Sequence, residues 1–158
     1  MAKKDIRTLN SVELKEAVVE LGEKAFRAKQ IEEWLWTKGA GSFDDMSNLS
    51  KGFRERLNEA FELSRIEIAD QQFSSDGTIK CAFDVRAGQV VEGVLIPTSK
   101  RMTACISSQA GCSLACKFCA TGRLKLLKNL SAGEIYDQVE MIRDRKSTRL
   151  NSSHQIIS

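Results

Sequence analysis

The stretch Cys105-Ile-Ser-Ser-Gln-Ala-Gly-Cys112-Ser-Leu-Ala-Cys116-Lys-Phe-Cys119-Ala-Thr-Gly122 fixes how the rest of the chain is read. Cys112, Cys116 and Cys119 stand in the spacing Cys-x-x-x-Cys-x-x-Cys within one short loop. Three thiolates can hold three corners of a cubic iron–sulfur cluster. Clusters that only store electrons are normally held by four cysteines, so a set of three leaves one iron open to an outside ligand, as catalysis requires. The same sulfurs allow a plainer arrangement: Cys105 with the triplet could close a tetrahedral zinc site. A disulfide framework fits poorly, because five cysteines is an odd number and the start, Met1-Ala-Lys-Lys-Asp5, lacks the apolar run of a signal peptide.

Working outward from the loop, Met102 to Ile106 predicts a strand that runs directly into it. Beyond it, Ser131-Ala-Gly-Glu134 has the form of a capping box that opens a helix, with Ile135, Val139 and Ile142 as its buried stripe. Strand, loop and helix make one βα unit, with the loop at the strand's C-terminal end, where (β/α) barrels place their chemistry.

Upstream, from Arg65, the hydrophobic period is two. Ile79, Cys81, Phe83 and Val85 alternate behind the turn signal Asp76-Gly77, and Gly88 opens a second turn into Val90 to Ile96, so a small antiparallel sheet is expected over 65–100. Cys81 falls on the apolar face and reads as a buried hydrophobe without chemistry. Glu92 shares a strand face with Val90, Val94 and Ile96. A carboxylate there is either an exposed edge position or a tuned proton acceptor.

The first 64 residues predict three helices in a small bundle. Asn10 or Ser11 caps a stripe of Leu14, Ala17, Val18 and Leu21 that Gly22 ends. A second helix carries Ile31, Trp34 and Leu35 up to Gly39, and a third follows Ser50 with Phe53, Leu57 and Phe61. Of Trp34 and Trp36, one is expected in the core and the other as a surface cover. At 158 residues, with 42% hydrophobic and 28% charged residues, the composition is that of a globular protein. No apolar run approaches the roughly 18 residues of a membrane span, and reduced thiols point to the cytoplasm. The net charge of +3 permits nucleic-acid binding without arguing for it. Lys24, Arg27 and Lys29, then Arg123, Lys125 and Lys128, are candidate phosphate contacts.

The cysteine spacing resembles the signature of the radical S-adenosylmethionine enzymes. Its flanks, Cys105-Ile-Ser-Ser-Gln-Ala-Gly-Cys112 before and Ala120-Thr-Gly122 with Lys128-Asn-Leu-Ser131 after, resemble the RlmN/Cfr adenine methyltransferases. So do Glu23-Lys-Ala-Phe-Arg-Ala-Lys-Gln-Ile31 and Ser42-Phe-Asp-Asp-Met-Ser-Asn-Leu-Ser50, which match that family's RNA-engaging accessory domain. The resemblance covers about 9–143. It implies an α/β protein: a helical accessory domain over 1–64, a small antiparallel sheet or linker over 65–100, and the start of a radical S-adenosylmethionine barrel over 101–144.

It also implies an enzyme that methylates carbon 2 of adenine in 23S rRNA and tRNA. The cofactors would be a [4Fe-4S] cluster on Cys112, Cys116 and Cys119 and S-adenosylmethionine bound at its open iron, served by an electron donor such as flavodoxin. A monomer is expected. By position, Glu92 inherits the role of proton acceptor and Cys105 that of the thiol that resolves a protein–RNA adduct through a transient disulfide. The methyl-accepting cysteine, placed near the C-terminus in the family, has no counterpart here, so the chain as written is expected to be inactive. Residues 145–158, polar and unlike the family continuation, read as a non-native tail, and His154 within it is given no role. Two other readings stay open: a small RNA-binding module without catalysis, and a structural zinc-binding domain.

Overall fold

A computed structural model describes residues 3–85, 88–112 and 125–153. Two compact units divide the chain, Met1–Arg65 and Ile66–Ser158.

In the first unit, a short strand β1 (Lys4–Asp5) leads into helices α1 (Ser11–Glu20), α2 (Arg27–Trp36) and α3 (Lys51–Ala60), followed by strand β2 (Phe61–Glu62), which pairs parallel with β1. The helix starts follow the predicted caps. The Asn10 side chain accepts from the Val12 and Glu13 amides while Glu13 bonds back to the Asn10 N–H, and Ser50 accepts from Phe53. Gly22, at φ 79°, ends the first helix in the left-handed conformation that costs a side chain most. Leu14, Val18, Ile31, Leu35, Phe53 and Leu57 make the core. Burying one such side chain contributes about 1.5–3 kcal/mol.

Two details differ from the sequence reading. Phe61 leaves the third helix: its backbone is extended and belongs to β2, with the ring half-buried against the core. Both tryptophans are half-buried against that core. Trp34 donates its indole N–H to Asn48 Oδ1 at 2.6 Å and carries Lys38 over its ring at 4.2 Å, so its polar edge draws it to the surface.

The second unit is a four-stranded antiparallel sheet in the order β3 (Glu67–Phe73), β4 (Ile79–Val85), β5 (Gln89–Pro97) and β6 (Met102–Cys105). A two-stranded ribbon follows, β7 (Gln109–Ala110) with β8 (Lys128–Asn129), and then helix α4 (Ala132–Ser153). The β3–β4 hairpin turns at Asp76-Gly77, where the Asp76 carboxylate accepts from the Thr78 amide and hydroxyl and Gly77 takes φ 89°. Ile79, Cys81, Phe83 and Val85 are all buried, as alternation predicts.

β6, the strand expected to begin a βα unit, pairs antiparallel with β5 in this sheet. α4 departs from its predicted stripe. Ile142 is buried and Ile135 half-buried, but Val139 lies 40% exposed. The buried face instead runs through Glu134, Asp137, Gln138 and Ile142, the i, i+3, i+4 and i+8 positions of one helix side. Gly93 lets this helix come close: a Cβ there would lie 2.9 Å from the Phe83 ring and 3.1 Å from Ile142 Cδ1.

Candidate functional site

On β5 the alternation puts Val91, Gly93 and Leu95 inward, and Val90, Glu92, Val94 and Ile96 on the other face. That second face is the open one. Val90 and Ile96 are 57% and 42% exposed, so Glu92 is not a buried carboxylate in an apolar stripe. On the β4 side it stands opposite Ala82, while β6 pairs with β5 only over Val94–Pro97, so Glu92 lies just past the end of that ladder, an exposed position at a local edge. Its carboxylate meets Lys80 Nζ at 2.7 Å, a pair open enough to water to hold direction more than energy.

Register brings Cys105 to the same face. Val94 stands opposite both Lys80 on β4 and Cys105 on β6. Cys105 is therefore the diagonal neighbour of Glu92, a relation that spans about 7–8 Å in antiparallel pairs. Its thiol is free and exposed, whereas the Cys81 thiol is buried on the opposite face with Gln71 Nε2 3.6 Å from its sulfur. Lys80, Glu92 and Cys105 thus form one open face, from residues spread over 26 positions of sequence.

The cysteine loop leaves from a narrow neck. Past Cys105 the chain forms β7, and the returning strand β8 closes on it. Leu127 donates to the Ala110 carbonyl and Leu130 to that of Ser108, each at 2.9 Å. Gly111 has φ 77°, and a Cβ on it would lie 2.1 Å from the Lys125 carbonyl oxygen, so only glycine fits. Cys112 follows at once and is half-buried. Cys116 and Cys119 lie outside the described residues. Among the described residues no group of three metal-ligating side chains comes together. A loop pinched at its base, with one thiol at the neck and two more in sequence after it, has the soft-donor chemistry that an iron–sulfur cluster takes.

The buried face of α4 acts as a rack for this frame. Glu134 closes the capping box, accepting from the Ser131 amide at 2.8 Å, and takes Lys128 Nζ at 2.6 Å. Burial pushes its carboxyl up, but the hydrogen bonds and charge of Lys128 and the Ser131 amide outweigh that and hold it below the ordinary carboxylate range. Asp137 accepts from the Ile66 amide at 3.2 Å. Gln138 accepts from the Ser107 N–H at 2.9 Å and donates to the Ser107 carbonyl at 2.8 Å. Sequence reading passed over Lys80, Gly111 and Gln138. The available signals were Lys80's place between the inward Ile79 and Cys81, which alternation puts on the open side, and the polar i, i+3, i+4 spacing of 134, 137 and 138.

Of the predicted phosphate contacts, Lys24 and Lys29 are exposed, while Arg27 is engaged with Gln30 and the Asn48 carbonyl. Lys125 is exposed, Lys128 is committed to Glu134, and Arg123 lies outside the described residues.

Residues 4–63 match the N-terminal domain of the ribosomal RNA large subunit methyltransferase family. A probable dual-specificity RNA methyltransferase RlmN of Flavobacterium psychrophilum is 56% identical over 145 residues, 92% of this chain and 42% of that protein. The chain belongs to the RlmN family. The dual-specificity RNA methyltransferase RlmN of Anaeromyxobacter dehalogenans is 44% identical over 85% of this chain and 36% of its own length. A crystal structure of a radical SAM methyltransferase from Sphaerobacter thermophilus superposes with a TM-score of 0.77 at 35% identity, over 92% of this chain and 43% of that one. The chain thus spans less than half the length of these relatives, and its mixed α/β fold is that of a radical SAM methyltransferase over that span. Among the described residues no helix is long and apolar enough to cross a membrane.

Proposed function

We propose that this chain is the N-terminal part of a radical S-adenosylmethionine RNA methyltransferase acting on carbon 2 of adenine in 23S rRNA and tRNA. The observation that carries the reading is the shared open face of Glu92 and Cys105, immediately before the pinched neck that leads to Cys112. Cys112, Cys116 and Cys119 would hold the cluster. When bound, the cluster and S-adenosylmethionine supply the radical chemistry that activates a methyl group.

The chain's own residues have separate tasks in this reading. Glu92 accepts the proton from the adenine ring carbon, and Lys80 holds its carboxylate in place until then. Cys105 offers an exposed thiol to the sulfur of the protein–RNA adduct. β6, with one side paired to β5, is the strand from which the barrel would continue, and α4 its first helix. The helical unit engages RNA, and an electron donor such as flavodoxin would supply electrons to the cluster held by Cys112, Cys116 and Cys119.

Residues 1–158 hold no cysteine after Cys119, so no methyl-accepting thiol is present and these residues alone leave RNA unmethylated. Anaerobic reconstitution with iron and sulfide, then metal analysis and electron paramagnetic resonance with and without S-adenosylmethionine, tests the reading. About four irons per chain and a spectrum that shifts with the cofactor support it. Tightly bound zinc without iron overturns it in favour of a structural zinc domain. RNA binding that survives replacement of all three loop cysteines, with no metal bound, would favour a non-catalytic RNA-binding module.

A further inference from the structure

The end of β6 poses a hydrogen-bonding problem. Only four residues of β6 pair with β5, so beyond Cys105 the backbone N–H and C=O of Ser107 have no ladder to join. The Gln138 side chain, fully buried on α4, meets both: its Oε1 accepts from the Ser107 N–H and its Nε2 donates to the Ser107 carbonyl. A carboxamide offers a donor and an acceptor side by side, as one residue of a neighbouring strand would. Nε2 also lies 3.3 Å from the Glu134 carbonyl. Ser107 in turn donates its hydroxyl to the Glu92 carbonyl at 2.8 Å. Cys105 is therefore held on two sides, by β5 at Val94 and by the clamp two residues further on.

We propose that Gln138 is a positioning residue for the Cys105 thiol, fixing it beside Glu92 through Ser107. The inference rests on the roles of Cys105 and Glu92 given above. An apolar side chain there would leave the Ser107 N–H and C=O without these partners, so the carboxamide fixes the backbone at the point where the β6 ladder ends.

The test uses the 158-residue chain and its Gln138→Leu and Gln138→Glu variants. Two readouts are taken: amide exchange at Ser107, with the Phe83 amide as the reporter of folding, and the rate at which Cys105 reacts with a neutral disulfide reagent, followed by mass spectrometry. Gln138→Leu should raise Ser107 exchange about tenfold or more at every pH and change the Cys105 rate. Gln138→Glu should do so at about pH 8, where the carboxylate repels the Ser107 carbonyl. Near pH 5 it should return to within about twofold of the parent, since a buried carboxylic acid again carries a donor and an acceptor. The titratable groups around this point are Glu134 with Lys128 and Asp137 on the α4 side, and Cys105 and Glu92 with Lys80 on the sheet's open face. All are common to parent and variant, so the ratio at each pH cancels them.

Ser107 exchange unchanged in both variants, or raised equally at both pH values in Gln138→Glu, overturns the clamp. Raised exchange with an unaltered Cys105 rate overturns its claim on the thiol. Loss of Phe83 protection in Gln138→Glu at both pH values assigns Gln138 to stability alone. Zinc in place of iron would refute the enzymatic reading and leave the clamp result standing.

Discussion

Replacing Gly111 by alanine should open the neck of the cysteine loop, and the structure separates the two causes. The first is conformational. At φ 77° an L side chain costs roughly 1–2 kcal/mol. The second is steric: the new Cβ would sit 2.1 Å from the Lys125 carbonyl oxygen, which is backbone and cannot swing away. Relieving that overlap means moving the returning chain, which breaks the Leu127 to Ala110 hydrogen bond and strands a carbonyl on a buried residue, at about 1–3 kcal/mol. Gly88→Ala supplies the control, since Gly88 has φ 69° with nothing within 4 Å of an added Cβ. Amide exchange should show Leu127 and Leu130 protection falling about tenfold or more in Gly111→Ala and staying at the parent level in Gly88→Ala. Equal behaviour of the two variants would refute the steric argument.

Ile142→Ala should cost about 2–5 kcal/mol in thermal unfolding of the second unit, whereas Val139→Ser, on the same helix but exposed, should stay within about 0.5 kcal/mol. Phe53→Ala should cost the helical unit about 3–5 kcal/mol, read as a fall in its melting transition. Because Glu134 is held below its ordinary pKa in the folded chain, its contribution is fully present above the carboxylate range and is lost as pH falls through the lowered value. Glu134→Gln should therefore destabilise at neutral pH and flatten the acid limb of a stability–pH curve measured by denaturant titration. Thiol labelling of the native chain should modify Cys105 rapidly and Cys81 only after unfolding.

Sequence reading reached the helices, their caps and the alternating face of β4 because each is a local signal of side-chain period and turn chemistry. Glu92 shows where such signals stop. Its strand face was legible, but which face met the core depends on α4 coming down over Gly93, a contact far away in sequence. Val139 failed for a related reason: apolar spacing is a guide to a buried face only when burial is by hydrophobes. On α4 the inward positions 134, 137 and 138 are polar because each receives a backbone or capping N–H that no strand provides. The cysteines were visible as a spacing, while Gly111, which makes their neck possible, looks like any loop glycine until Lys125 is placed beside it.

The bond from the Ile66 amide to Asp137 joins the first residue of the second unit to a point 71 residues later. On a ribosome the four sheet strands would all have been synthesised before the residue that receives that amide. The amide at the start of the unit thus waits for α4 to supply its partner. A pause in synthesis before codon 137 would therefore leave the sheet's inner face, Phe83 and Gly93 included, without the helix that covers it.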